Sequence, residues 1–206
     1  MDIPSPRPGD ALLVVDVQND FLPGGRLAVP SGDQVIGPLN VAIAQFLAQG
    51  LPVFATRDWH PPEHCSFKAN GGLLPPHCVA GTRGAAFPAT LALPPDVVIV
   101  SKGTLPGNDA YSGFEGTRLG DMLREARVTR LLVGGLATDF CVLNTVTDAL
   151  QEGFGVVLLT GAMRGMNLQA GDDEAAIDTM IEHGALPCSL PPLAKARLPR
   201  AQPRYR

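Results

Sequence analysis

Aromatic side chains make up only 5% of the 206 residues, with one Trp and two Tyr, and charged residues only 17%. With hydrophobic residues at 45%, that scarcity of charge excludes a disordered chain and describes a globular one with a substantial core. No apolar run approaches the ~20 residues of a membrane-spanning helix. The N-terminal MDIPSPRPGD lacks a cationic start followed by an apolar stretch, so neither a membrane partner nor a secretory signal is expected. Four cysteines, with no C-x-x-C pair among them, argue against a disulfide framework and for a reducing, cytoplasmic setting. An excess of basic charge is missing too: the net charge is −4, which speaks against a nucleic-acid partner. The one basic concentration, Lys195, Arg197, Arg200, Arg204 and Arg206, lies in a Pro-rich stretch without acids. Residues 1–190 are therefore expected to form a single domain and 191–206 a flexible basic tail.

Short apolar runs alternate with stretches of helical periodicity. The runs at 11–16, 53–56, 97–101, 131–134, 156–160 and 185–189 are rich in Val, Ile and Leu and read as buried strands. Residues 34–49, 118–126, 139–152 and 172–183 read as helices, three of them followed by glycine. Uninterrupted apolar strands separated by helices imply an α/β fold, a three-layer α/β/α domain around a mainly parallel sheet of roughly six strands. The stretch from 58 to 96 has little periodicity and many Gly and Pro. So long a loop in a compact domain is more often functional than idle.

That loop carries the first chemical signal. Between residues 57 and 78 lie Asp58, His60, His64 and His77, three of the four histidines of the chain. A carboxylate and a histidine two apart at the end of a strand project to the same side. Carboxylate oxygen with imidazole nitrogen suits Zn²⁺ or another first-row divalent ion. Two other readings stand beside it: a surface loop that merely collects such residues, and a structural zinc clip using Cys65 and Cys78.

Ligands of parallel sheets bind beyond the carboxyl ends of the strands. Asp16, Asp58, Lys102 and Cys141 all fall there. Cys141 lies in Gly-Gly-Leu-Ala-Thr-Asp-Phe-Cys (134–141), a strand-to-helix turn with N-cap residues. A thiol in a first helical turn has its thiolate favoured by unpaired N–H groups. Asp16 ends the apolar run ALLVVD and requires a partner, and Lys102 ends VVIVSK. Together they form an acid–base–nucleophile set, with a structural ion pair and a packing cysteine as the alternatives.

Five ordered segments carry a family resemblance: VVDVQNDFLPGGRLAVP (14–30), TRDWHPPEHCSF (56–67), PPHCVAGTRGAAF (75–87), SKGTLPGNDAYSGFEGT (101–117) and GGLATDFCVLNTVTDAL (134–150). With them the chain resembles the nicotinamidase (pyrazinamidase) family of the isochorismatase-like cysteine hydrolases over roughly residues 11 to 189. The resemblance implies an Asp16–Lys102–Cys141 triad, an oxyanion hole from the N–H groups of Ala137 and Cys141, and a cis Leu136–Ala137 peptide. It implies one divalent metal, zinc by default with Fe²⁺ and Mn²⁺ as alternatives, held by Asp58, His60 and His77. His64 stands where some members supply a further ligand. The implied reaction converts nicotinamide to nicotinate and ammonia through a cysteine thioester, with pyrazinamide as a second substrate. A homo-oligomer is compatible with the family. Members often carry a tryptophan before the Pro-x-His segment, where this chain has Leu74, leaving Phe21, Tyr111 and Phe140 as candidate pocket aromatics. Competing expectations are a relative acting on another small amide, such as an N-carbamoyl compound or maleamate, and a catalytically silent binding or scaffold subunit.

Overall fold

The computed structural model describes residues 5–188; the tail expected at 191–206 and the last residue of the expected strand 185–189 lie outside them. Six strands, β1 (Asp10–Val15), β2 (Val53–Asp58), β3 (Val98–Lys102), β4 (Arg130–Leu136), β5 (Gly155–Arg164) and β6 (Leu186–Cys188), form one sheet in the order β3-β2-β1-β4-β5-β6. Every pairing is parallel. The helices are α1 (Ile36–Ala48), α2 (Leu119–Glu125), α3 (Leu143–Gln151) and α4 (Asp172–Glu182).

The twofold alternation of a strand sorts the core into two layers. Leu12 and Val14 pack with Ala55, Leu132 and Val157 under Leu39, Ile43 and Phe46 of α1. Ala11, Leu13 and Val15 face the other way, with Leu131, Val133 and Leu158 against Leu123 of α2, Val146 of α3 and Met180 of α4. No α-helix lies between β2 and β3, only a 3-10 turn at Lys68–Asn70. The long 59–97 connection instead closes the α1 face, contributing Cys78, Ala85 and Leu91 to its core. This is why the loop is long yet well buried.

Strand order reverses between β1 and β4, the switch point at which open α/β sheets leave a crevice. The two strands approach so closely that a side chain on Gly135 (φ 138°) would overlap the Val15 carbonyl oxygen. Two differences from the sequence-based expectation bear on the site. β4 runs two residues beyond the apolar run, to Leu136, and β5 continues to Arg164, pairing as Leu136↔Arg164 past a register shift. The expected helix 139–152 begins as a π-helical turn, Thr138–Val142, before α3 starts.

Candidate active site

Asp16 follows directly on β1 and leaves the strand with φ 48°. Its Oδ1 accepts a 2.7 Å hydrogen bond from the Thr56 hydroxyl on β2. Lys102, the last residue of β3, is buried, and its Nζ lies 3.0 Å from Asp16 Oδ2. The same ammonium donates to Asp58 Oδ1 and to the Ala110 carbonyl oxygen at 3.1 Å, and stands 3.5 Å from Cys141 Sγ. A carboxylate oxygen of Asp16, one of Asp58 and the Cys141 sulfur all lie within 4.8 Å of one another. The structure thus brings Asp16, Lys102 and Cys141 together at the carboxyl end of the sheet.

Burial dominates the charge states there. It works against the Lys102 ammonium, but Asp16 and Asp58 outweigh it and hold the amine protonated well above its ordinary range. Burial raises Asp16, with Lys102 opposing. At Asp58 burial also acts upward, yet Lys102 and His60 prevail and keep the carboxyl well below the usual range. The Cys141 thiol is pushed well up, first by burial and then by Asp16 and Asp58, against Lys102. In the metal-free site that direction favours the thiol over the thiolate.

The turn that carries Cys141 is π-helical, not the first turn of α3. The Leu136–Ala137 peptide is cis, and the Val142 N–H reaches back five residues to the Ala137 carbonyl oxygen at 3.0 Å. Asp139, expected as N-cap material, does not cap this turn. Its carboxylate accepts instead from the backbone N–H groups of Met166 and Asn167, both at 2.8 Å, tying the turn to the segment after β5.

Asp58, His60 and His77 offer ligand atoms within 4.8 Å of one another. His60 Nδ1 lies 2.9 Å from the Gly103 carbonyl oxygen, and His77 Nδ1 2.9 Å from that of Pro75. A carbonyl oxygen only accepts, so both rings carry the Nδ1 proton and leave Nε2 as the ligating atom of the neutral form; at His60 burial opposes the charged ring, but Asp58, 3.5 Å from its Nε2, prevails and raises it in the metal-free site. Burial lowers His77, which favours the neutral, ligating form. Two such nitrogens and a carboxylate fit a divalent cation. His64 is built differently. Its Nε2 lies 3.1 Å from the Asn108 carbonyl oxygen and must donate, while its Nδ1 accepts from Ser66 Oγ at 2.8 Å. With its lone pair engaged, His64 stacks on His60 at 4.0 Å between ring centroids rather than joining the group. Cys65 and Cys78 do not join it either.

Three residues that the sequence did not single out hold this arrangement. Gln18 is fully buried: its Oε1 accepts the Asp58 N–H at 2.8 Å, and its Nε2 donates to the Asp58 and Ala85 carbonyl oxygens at 2.7 and 2.9 Å. Asp20 accepts the Cys78 N–H at 2.8 Å, fixing the backbone beside His77. Thr56 is the third. Gln18 and Asp20 sit in the segment 14–30, but their partners, Asp58, Ala85 and Cys78, lie far along the chain and leave no signal in spacing.

Phe21, Leu74, Tyr111 and Phe140 line one cavity with Asp58, His77, Ala137 and Cys141. Leu27, Val29, Met166 and Leu168 complete its wall and were not foreseen. Tyr111 and Phe140 face each other with centroids 5.9 Å apart, making an aromatic side to the pocket.

Comparison with known proteins agrees with this architecture. The isochorismatase domain matches residues 10–191. The nicotinamidase of Escherichia coli K12 is 39% identical over 199 residues, covering 86% of this chain and 93% of that protein. The crystal structure of the Pyrococcus horikoshii pyrazinamidase in complex with zinc superposes with a TM-score of 0.85 at 46% identity, over 89% of this chain and 100% of that one. The L. infantum protein PnC1 in complex with nicotinate superposes with a TM-score of 0.83 at 32% identity, over 92% and 96%.

Proposed function

The chain belongs to the isochorismatase domain family, and on that premise we propose that it is a nicotinamidase, a hydrolase that converts nicotinamide to nicotinate and ammonia and accepts pyrazinamide as well. One observation carries the reading: a single cavity is lined at once by Cys141, with Asp16 and Lys102 behind it, and by Asp58 and His77. A nucleophile and a nitrogen-binding group facing one apolar slot suit a flat heteroaromatic carboxamide.

The catalytic residues are Asp16, Lys102 and Cys141. Burial favours the neutral acid at Asp16, and the Lys102 ammonium 3.0 Å away opposes it as the counter-charge of the carboxylate that the reaction uses. As the sulfur attacks the carboxamide carbon, its proton passes to Asp16. The N–H groups of Ala137 and Cys141 stabilise the oxyanion. Asp16 returns the proton to the amide nitrogen, the C–N bond breaks and ammonia leaves. Asp16 then takes a proton from the water that attacks the thioester, and nicotinate departs with the free thiol restored. Asp58, His60 and His77 would hold a divalent metal, which when bound supplies a Lewis acid for the ring nitrogen and so positions the ring. Zinc is the first ion to test, followed by Fe²⁺ and Mn²⁺. Phe21, Leu74, Tyr111 and Phe140 enclose the ring. Four free cysteines support a reducing, cytoplasmic setting.

The test is release of ammonia and nicotinate from nicotinamide by purified protein, stripped with chelator and then resupplied with each metal. Turnover that falls on stripping and returns with one ion is expected. Absence of turnover in every metal-loaded form would overturn the reading.

A further inference from the structure

Thr56 lies on β2, a strand away from the thiol, and its hydroxyl determines which oxygen of Asp16 is left for chemistry. It is fully buried, as is Asp16. Its Oγ1 donates to Asp16 Oδ1 at 2.7 Å, while the Thr56 carbonyl oxygen accepts the Asp16 N–H at 3.3 Å. One strand residue therefore grips both the backbone and the side chain of the acid. The other oxygen is treated differently. Asp16 Oδ2 lies 3.0 Å from Lys102 Nζ but accepts no aligned hydrogen bond among the described residues, although it is out of reach of solvent. A buried carboxylate oxygen without an aligned donor calls for an explanation, and a catalytic role is one.

The Thr56 rotamer is itself constrained. Its methyl packs on Gly113, where a side chain would come within 2.8 Å of Thr56 Cγ2. With the methyl held against the Gly113 backbone, the hydroxyl has only Asp16 to face.

We propose that Thr56 is a positioning residue for the hydrolysis: its hydroxyl locks the Asp16 carboxylate so that Oδ1 is spent as an acceptor and Oδ2, beside Lys102, is left to receive and return the proton. Thr56 touches neither substrate nor sulfur and acts through Asp16 alone. This rests on the nicotinamidase reading for the reaction, though not for the geometry.

Thr56→Val and Thr56→Ser separate this role from packing, because the first keeps the shape and loses the donor while the second keeps the donor. In metal-replete full-length protein two readouts are taken: kcat and KM for nicotinamide, and the rate at which iodoacetamide alkylates Cys141, followed by peptide mass spectrometry. In Thr56→Val, kcat should fall on the order of ten- to a hundredfold, the usual effect of losing a hydrogen bond to a charged group, with KM changed less than about threefold since no substrate contact is lost. Cys141 alkylation should slow in parallel, and Thr56→Ser should recover most of both. A Thr56→Val enzyme within twofold of the native kcat and alkylation rate, or a serine variant as impaired as the valine one, would overturn the proposal. If the native protein turns over no nicotinamide while alkylation still follows the order Thr, Ser, Val, the functional reading fails and the positioning role stands.

Discussion

Lys102 is the residue on which the charges of the site depend. Its ammonium is the cation shared by two buried carboxylates, Asp16 and Asp58. Removing one partner of a buried ion cluster leaves uncompensated charge, which costs far more than the cluster gains. Lys102→Met should therefore lower the stability of the metal-free protein by about 3–5 kcal/mol in urea titrations, as well as abolish turnover. A variant as stable as the native chain would refute the shared-cation account. The two outer histidines give a second contrast at this scale. His77→Ala should lose bound metal and raise KM, whereas His64→Asn should keep stoichiometric metal, because the His64 lone pair is already committed to Ser66. Metal analysis of the two purified variants decides the point, and equal loss in both would contradict it. The sequence placed all three histidines in one loop, but which ring nitrogens are left to ligate depends on the carbonyl oxygens of Gly103, Pro75 and Asn108, which spacing does not reveal.

At the scale of elements, the nucleophile turn and the segment after β5 act as one piece. The Asp139 carboxylate holds the Met166 and Asn167 N–H groups, and Asn167 Oδ1 in turn accepts the Asp173 N–H at the start of α4. Met166 and Leu168 thereby become pocket wall. Asp139→Asn turns an N–H₂ toward a backbone N–H, and KM for nicotinamide should rise roughly five- to tenfold, about the effect of one lost buried hydrogen bond. Steady-state kinetics check this, and an unchanged KM would detach the wall from the turn. Gly135 is the second element-level constraint: Gly135→Ala forces β1 and β4 apart and should destabilise the fold by about 3 kcal/mol or more in urea unfolding. The strands were legible because β-branched apolar runs mark a sheet buried on both faces. Their ends were not. Leu136 and Arg164 extend the ladder past a glycine-containing register shift, and the π turn arises from backbone hydrogen bonding at Ala137. Neither leaves a periodic trace in the side chains.

For the whole molecule, the same burial that shapes the site sets an alkaline limit. Burial pushes the Cys78 and Cys141 thiols above their ordinary value in the folded protein. In the unfolded chain they ionise from about pH 8.5. Above that pH the unfolded state has released protons that the folded state retains. Stability, fully present below it, should then fall as pH rises, by up to about 1.4 kcal/mol per thiol per pH unit. Urea melts of metal-free protein between neutral pH and pH 10 should show this decline, with a shallower slope in Cys78→Ala; a flat profile would contradict it.

How four residues far apart in sequence meet is also a property of the whole fold. Asp16, Asp58, Lys102 and Cys141 follow four strands, and the parallel sheet delivers all four to one edge, so their convergence could be read from the order of the motifs. Gln18, Thr56 and Asp139 could not, since each acts through a backbone or carboxylate contact across the sheet. The central claim is covalent hydrolysis at Cys141, and its most direct test is nicotinamide turnover by Cys141→Ala measured together with metal content. No turnover at native metal content is the predicted result. Turnover at a rate near that of the native protein would contradict it.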